Sequence, residues 1–404
     1  MDFSVVELDD DLAAFVAEVR EFIATYVTEE VHEEERRTGG SFNLRLHEAL
    51  GAKGWIVPHW PVEKGGAGLD RLRQRILELE LERVDAPTIT LSTTRLVLSA
   101  VEKYAEPGLA AELLSKVARG DVRFCLGYTE PDGGSDIAAA KTRAVRDGDE
   151  WIVNGQKIFT TGAQNCQYTF LIARTDPDLP KHKGLTMFLM PLDAPGVEIS
   201  PIHTVGGERT NVVYYGDVRV SDRYRLGPVN GGWGVLRGPL DEEHFGAGHD
   251  DGLSDLGIGA SWARLQGRNV GAAVRWARTT RRPDGLRPID DPVVRARLGE
   301  AALDVEAALA TPGPMGRVRV SETLIEGSAA LIDLIGPQAL LPHGADGCLE
   351  GGAFDYAHRY AQGTAIYGGT TEVFRNIIAQ HVLGLPRPRY PGAKTLIAGN
   401  TRTS

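Results

Sequence analysis

Between Lys141 and Thr161 the chain reads KTRAVRDGDEWIVNGQKIFTT. Polar and apolar residues alternate along it, as they do in a half-buried strand. Asp147-Gly148 and Asn154-Gly155 are dipeptides that favour tight turns. RFCLGYTE precedes this stretch, and QYTFLIAR, GLTMFLMPL and NVVYYGDVRV follow it, each short, alternating and bounded by turns. Six or seven strands over about 100 residues predict a small β-barrel or sandwich.

Outward from this block the period changes to that of helices. On the N-terminal side Leu12, Phe15, Val16, Val19, Phe22 and Ile23 recur at helical spacing, and LRQRILELELERV and LAAELLSKVARG repeat the pattern. Between them GWIVPHWPVEKGGAGL, Gly54 to Leu69, is a loop rich in Gly and Pro. Helical patterns return from about 230 to 385, broken by TPGPMG at 311–316, and PRPRYPGAKTLIAGNTRTS reads as a loose tail. The order is helical, β, helical, with expected domains at 1–120, 121–230 and 231–387 and a tail at 388–404.

The 404 residues carry 25% charged and 42% hydrophobic side chains, values of a soluble globular chain with ample core. A net charge of −11 argues against nucleic acid as a partner. Cys125, Cys166 and Cys348 are too few and too scattered for a disulfide framework or a metal cluster. The run Glu29 to Arg37, with one His, reads as a solvated helix face. No apolar run reaches the ~18 residues of a membrane span, and the acidic N-terminus does not read as an export signal. A reducing cytoplasm is the expected compartment.

GxxxxGK[ST], GxSxG and HExxH are absent from the sequence, as is a GxGxxG that follows a strand and opens a helix. Three segments carry polar chemistry instead. Gly127-Tyr-Thr-Glu-Pro-Asp-Gly-Gly-Ser-Asp136 packs glycines, hydroxyls and carboxylates into ten residues after a strand, and glycines let backbone approach a ligand closely. Asn154-Gly-Gln-Lys-Ile-Phe-Thr-Thr-Gly-Ala163 sets an aromatic beside two threonines at a strand end, where they could wall and hydrogen-bond a planar ring. Ala365-Ile-Tyr-Gly-Gly-Thr-Thr-Glu-Val-Phe374 is a turn opening an amphipathic helix, with Thr370 or Thr371 as N-cap. Taken singly, each is also a plain turn, strand end or capped helix.

Together, in this order, they resemble the acyl-CoA dehydrogenase family of FAD flavoproteins. The likeness runs from about residue 10 to 387 and takes in PHWPVEKGGAGL, Gly231-Gly232-Trp233 ahead of a helix, and RNIIAQHVLGLPR. It implies a mainly α fold with a central β-domain: an N-terminal helical domain, a middle β-barrel-like domain and a C-terminal four-helix bundle. It also implies α,β-dehydrogenation of an acyl-CoA thioester, with electrons passing to an electron-transfer flavoprotein or similar acceptor. Carried over residue by residue, it puts Tyr128 and Thr129 at the flavin pyrimidine ring. Thr161 falls at the N5 edge, with Phe159, commonly Trp in the family, along the ring. Ser135 falls near the flavin phosphates or the CoA, and Thr370 and Thr371 near the adenosine diphosphate. Asp241, His244, Gly368 and Gly369 fall on the substrate side.

Removing the α-proton needs a positioned carboxylate in a water-poor pocket. Many members carry that Glu directly after the Tyr of the C-terminal motif, where this chain has Gly368. Long-chain and branched-chain members carry a small residue there and supply the Glu from Leu-x-x-Glu-Arg, after Gly-Gly-Trp. Here that segment is Leu240-Asp241-Glu242-Glu243-His244, so the resemblance assigns the base to Glu243, with Glu242 its neighbouring rival. His244 replaces the usual Arg, and FGAGHDDGLSDLGIGASWARL follows with five glycines.

The motifs that members offer to a neighbour's flavin, Arg-x-x-Phe-Gly and Gln-x-x-Gly-Gly, are altered to ARTTRRPDGLRPIDDP and LIDLIGPQALL. Arg281 and Arg282 remain as candidates for a pyrophosphate, and Asp333 sits near the expected Gln. In a symmetric dimer each chain must carry both halves of a shared site. The expected assembly is therefore an α2β2 hetero-oligomer with a related chain, and a homotetramer second. The expected substrate is a long, branched or bulky acyl-CoA, sterol-derived or otherwise. A non-catalytic partner subunit, a flavin monooxygenase of the same fold and a carrier-protein-linked substrate stay open on sequence alone.

Overall fold

A computed structural model of the chain describes residues 8–245 and 259–386, and of residues 240–245 the backbone alone. The tail expected at 388–404 lies outside the described residues.

Six helices come first: α1 (Asp10–Tyr26), α2 (Glu29–Thr38), α3 (Leu44–Ala52), α4 (Arg71–Arg83), α5 (Ile89–Tyr104) and α6 (Pro107–Ala118). Asp9 caps α1 by accepting the Leu12 N–H at 2.8 Å, and the helix buries Phe15, Val19, Phe22 and Ile23, four of the six positions in its apolar pattern. Between α3 and α4 the Gly/Pro-rich loop is held from beneath. Arg95 of α5 donates to the carbonyls of Ile56 and Trp55 at 2.7 and 2.9 Å. α5 also grips the first strand: Thr93 Oγ1 donates to the Phe124 carbonyl at 2.9 Å and Thr94 Oγ1 accepts the Phe124 N–H at 3.0 Å.

Eight strands follow, where the pattern predicts six or seven: β1 (Phe124–Gly127), β2 (Arg143–Asp147), β3 (Glu150–Ile158), β4 (Tyr168–Arg174), β5 (Leu185–Pro191), β6 (Val197–His203), β7 (Arg209–Ser221) and β8 (Arg225–Leu226). They form one sheet in the order β6-β7-β3-β2-β4-β5-β8, with β1 also paired to β4. Phe170, Ile172, Met187 and Leu189 face the N-terminal helices, while Leu171, Ala173, Phe188 and Met190 join Trp151, Val153, Val213 and Val218 in a second core. The sheet therefore folds over on itself around Trp151 and Phe188. Burial on both faces is why β4 and β5 read as continuous apolar runs.

Asp147-Gly148 is the β2–β3 turn, but Asn154-Gly155 is not a turn: both residues lie inside β3. β7 carries an extra residue opposite Asn154, where the register shifts, and Asp217 there has φ 49°. Asn154 and Asp217 exchange two hydrogen bonds of 2.9 Å across this bulge. Gly155 has φ 145°, and a Cβ on it would lie 2.7 Å from Thr142 Cα. The dipeptide thus serves a bulge and a close approach of two strands, not a chain reversal.

The C-terminal part holds α7 (Gly232–Phe245), α8 (Ala260–Thr279), α9 (Pro292–Leu309), α10 (Gly313–Ile335), α11 (Ala353–Thr364) and α12 (Thr371–Ile377). A Cβ on Gly232 would sit 2.7 Å from Thr186 Cα, so glycine lets α7 start against β5. The TPGPMG break is shorter than its sequence suggests, because α10 begins inside it at Gly313 with proline in the first turn. α8, α9 and α10 pack around Val270, Leu298, Val305 and Leu331, and α11 joins through Phe354 and Ala357. No described helix is long and apolar enough to cross a membrane.

Replacing Gly155 by Ala should destabilise the protein by about 2–4 kcal/mol, because the new Cβ meets strand backbone at a positive φ. A thermal melt that matches the parent would contradict this account of the bulge.

Candidate functional site

Tyr128 and Thr129 continue from β1, and Lys157 and Ile158 close β3. Three hydrogen bonds bring these segments together. Ile158 N–H donates to the Thr129 carbonyl at 2.9 Å. The Lys157 ammonium, with no exposed surface, donates to the Tyr128 carbonyl at 3.1 Å and to Glu130 Oε1 at 2.7 Å. Glu130 also accepts the backbone N–H groups of Lys141 at 2.6 Å and Thr142 at 2.9 Å, which completes its shell. Burial works to raise the Glu130 pKa, but the Lys157 charge and these N–H donors outweigh it and hold the carboxyl below its ordinary value. Burial pushes Lys157 down to about 8 against the pull of Glu130, so the pair is ionised at neutral pH.

The loop beyond is pinched by reciprocal backbone bonds between Glu130 and Gly133 at 3.1 and 3.0 Å. It leaves Ser135 exposed, with Asp136 beside it bound to Lys181 at 2.6 Å. The Tyr128 ring is buried, edge-on to Phe170 at 6.0 Å.

Phe159 follows β3 with φ 60° and 59% of its surface exposed. A bulky residue held in left-handed backbone with its ring outward is a strained arrangement, of the kind that clusters at functional sites. The strain is fixed by the next residue: Thr160 exchanges backbone and side-chain bonds with Asn211, each 3.0 Å. The exposed Thr161 hydroxyl meets Thr210 Oγ1 at 3.0 Å. Thr160 Oγ1 and Thr90 Oγ1 are buried without a partner, and Thr90 lies against Gly162. A flat heteroaromatic ring with a polar edge, such as a flavin, fits this set. The Thr160, Thr161 and Thr90 hydroxyls would supply donors and acceptors to such a ring, and the Phe159 face an apolar wall. Among the described residues no group of three or more His, Cys, Asp or Glu side chains is placed to hold a metal ion.

The third segment forms the turn between α11 and α12. Gly368 and Gly369 have φ 64° and 87°, and Thr370 is the N-cap, accepting the Val373 N–H at 3.1 Å. The turn reaches the β-domain through α11: Arg359 donates to the Val205 carbonyl at 2.8 Å, and a Cβ on Gly206 would lie 3.3 Å from Tyr360 Cα. Glu208, in this β6–β7 turn, is pushed up to about 7, first by burial and then by Glu35.

Asp241, Glu242, Glu243 and His244 lie on the last turns of α7, but their side chains lie outside those described. Arg281 is exposed beyond the end of α8, while Trp262 near its start touches Tyr367. At 1.5 Å per residue the two ends are roughly 27 Å apart. Asp333 is exposed and paired with Arg297 at 2.8 Å, and Arg282 is paired with Asp291 at 3.1 Å.

Neither Lys157 nor Glu130 receives a role from the sequence motifs that contain them. Their signal is a lysine at an inward position of a strand, which needs an acidic partner. Thr210, Asn211 and Glu208 carry no comparable signal, because only the fold brings β7 to the end of β3.

Comparison with known proteins gives three domain matches in chain order. The acyl-CoA dehydrogenase N-terminal domain matches residues 9–121, the middle domain 125–218 and the C-terminal domain 314–383. The acyl-CoA dehydrogenase FadE26 of Mycobacterium tuberculosis is 30% identical, over 92% of this chain and 96% of its own length. A solved steroid ACAD, Tcur3481-Tcur3483, superposes with a TM-score of 0.80 at 30% identity, covering 96% of this chain and all of that one. The ChsE4-ChsE5 complex of Mycobacterium tuberculosis gives a TM-score of 0.77 at 29% identity, with 96% and 100% covered.

Lys157→Met leaves the Glu130 charge buried and unpaired, and should cost about 3–5 kcal/mol of stability. Adding Glu130→Gln should recover part of that loss, because the buried charge goes with its partner. Purely additive losses in thermal melts of the three variants would show that the two side chains do not act as a pair.

Proposed function

Because the chain belongs to the acyl-CoA dehydrogenase family, whose members are FAD flavoproteins, we propose that it oxidises a bulky, sterol-derived acyl-CoA to the 2-enoyl-CoA as the catalytic chain of an α2β2 heteromer. The observation that carries the reading is the tie from Lys157 and Ile158 to Tyr128, Thr129 and Glu130, which sets both flavin-type segments side by side.

Tyr128, Thr129, Phe159 and Thr161 hold the body of FAD, and Ser135, Thr370 and Thr371 its phosphate-bearing part. FAD, when bound, supplies the hydride acceptor. The Glu243 carboxylate takes the α-proton, and Gly368, at the position where many members carry the base, leaves space for it. Asp241, His244 and Gly369 border the acyl thioester. The apolar face of Phe159 shields the reacting edge from water.

A bulky acyl group is supported by the likeness to a protein described as a steroid ACAD. An unlike partner is supported by the pairing of names in both solved neighbours. It is supported also by Asp333 and Arg282, whose charges are engaged within the chain. Arg281, distant from the Tyr-Gly-Gly turn of its own chain, is the group left to serve a neighbour's cofactor. An electron-transfer flavoprotein or similar carrier is the reoxidant in this reading, and the cytoplasm its compartment.

Glu243→Gln should lower turnover by about 10²–10⁴-fold while FAD stays bound, since the amide keeps the size but cannot accept a proton. Near-normal turnover in that variant, with loss in Glu242→Gln, would move the base by one residue. Native mass spectrometry of the chain co-produced with a related chain should show α2β2 with fewer flavins than chains. An active homotetramer of this chain alone, with one FAD in every subunit, would overturn the assembly.

A further inference from the structure

Arg317 of α10 is 1% exposed, a guanidinium in the middle of a helical bundle. Its Nη2 donates to three backbone carbonyls, those of Thr364 and Tyr367 at 2.8 Å and Gly369 at 3.0 Å. Thr364 ends α11, and Tyr367 and Gly369 flank Gly368. The guanidinium carbon lies 4.5 Å from the Trp262 ring centroid and 5.2 Å from that of Phe374. Trp262 in turn meets the Tyr367 ring edge-on at 5.6 Å and donates its Nε1–H to the Tyr360 hydroxyl at 3.2 Å. One side chain thereby joins α8, α10, α11 and α12 to a single turn.

The turn needs such a hold. Two successive glycines have no preferred backbone conformation of their own, so the shape of the segment is imposed from outside. The carbonyls at a helix C-terminus lack helical partners and carry partial negative charge, which a buried cation satisfies. A guanidinium can do this and present its flat faces to two aromatic rings; an ammonium can supply the charge but not the plane.

We propose that Arg317 is a positioning residue that fixes the Tyr367–Gly369 turn and, through it, the space that Gly368 leaves on the substrate side of the site. The functional half of this rests on the acyl-CoA dehydrogenase reading above; the structural half stands without it.

Arg317→Met and Arg317→Lys, made in the full chain, test both halves. In hydrogen exchange, amides 365–371 should open about tenfold faster or more in the Met variant, with the Lys variant between it and the parent and β3 unchanged. With the FAD-loaded enzyme co-produced with its related chain, and a sterol side-chain acyl-CoA as substrate, kcat should fall in the same order, about tenfold in the Met variant, with KM changed less than kcat. Unaltered exchange in the turn, or exchange raised evenly through the bundle, overturns the positioning role. If the Met variant does not fold, the same comparison in the Lys variant decides. A looser turn with parental kcat overturns the functional half. A parent enzyme that has no dehydrogenase activity even when co-produced with the related chain refutes the reaction assignment instead, and the exchange result still decides the role of Arg317.

Discussion

A lysine with no exposed surface and a carboxylate 2.7 Å from it hold together the two segments on which the candidate site is built. Taking both charges out of water is costly, and such a pair persists only where other hydrogen bonds complete its shell. Here they do. Glu130 receives two backbone N–H groups, and Lys157 reaches the Tyr128 carbonyl. One of those N–H groups belongs to Thr142, the residue that crowds Gly155. The β-bulge, the missing side chain at 155 and the ion pair are therefore parts of one local solution. It clamps the end of β3 to the loop after β1.

The surrounding fold carries that clamp to the rest of the molecule. β1 is gripped by two threonines of α5, which tie the helical N-terminal part to the strand that leads to Tyr128. β4 and β5 bury one face against those helices and the other inside the folded sheet. The strained Phe159 is tolerated because Thr160 is bonded to Asn211 on both backbone and side chain. Local strain of this sort survives only when its neighbours over-determine it.

The glycine turn between α11 and α12 works by another principle. Gly368 and Gly369 give freedom, and Arg317 with its aromatic neighbours removes it. Contacts of α11 with the β6–β7 turn then link this corner to the β-domain. The C-terminal turn and the middle β-domain are thus joined across packed elements, not along the sequence.

The sequence by itself determined the helical, β, helical order, because periods of 3.6 and 2 are local properties of side chains facing a core. It also marked Thr370 as a candidate helix cap, which its bond from the Val373 N–H bears out, since a capping hydroxyl at a helix start is legible without distant neighbours. It misread Asn154-Gly155, where a turn-forming dipeptide is also what a bulge and a close strand approach require. Only the tertiary structure decided that Lys157 answers Glu130, that Thr210 and Asn211 support the end of β3, and that Arg317 holds a turn 50 residues away. The reason is physical. Periodicity and capping are set by a few adjacent residues, whereas the partner of a buried charge is whatever side chain the folded backbone brings within hydrogen-bond distance.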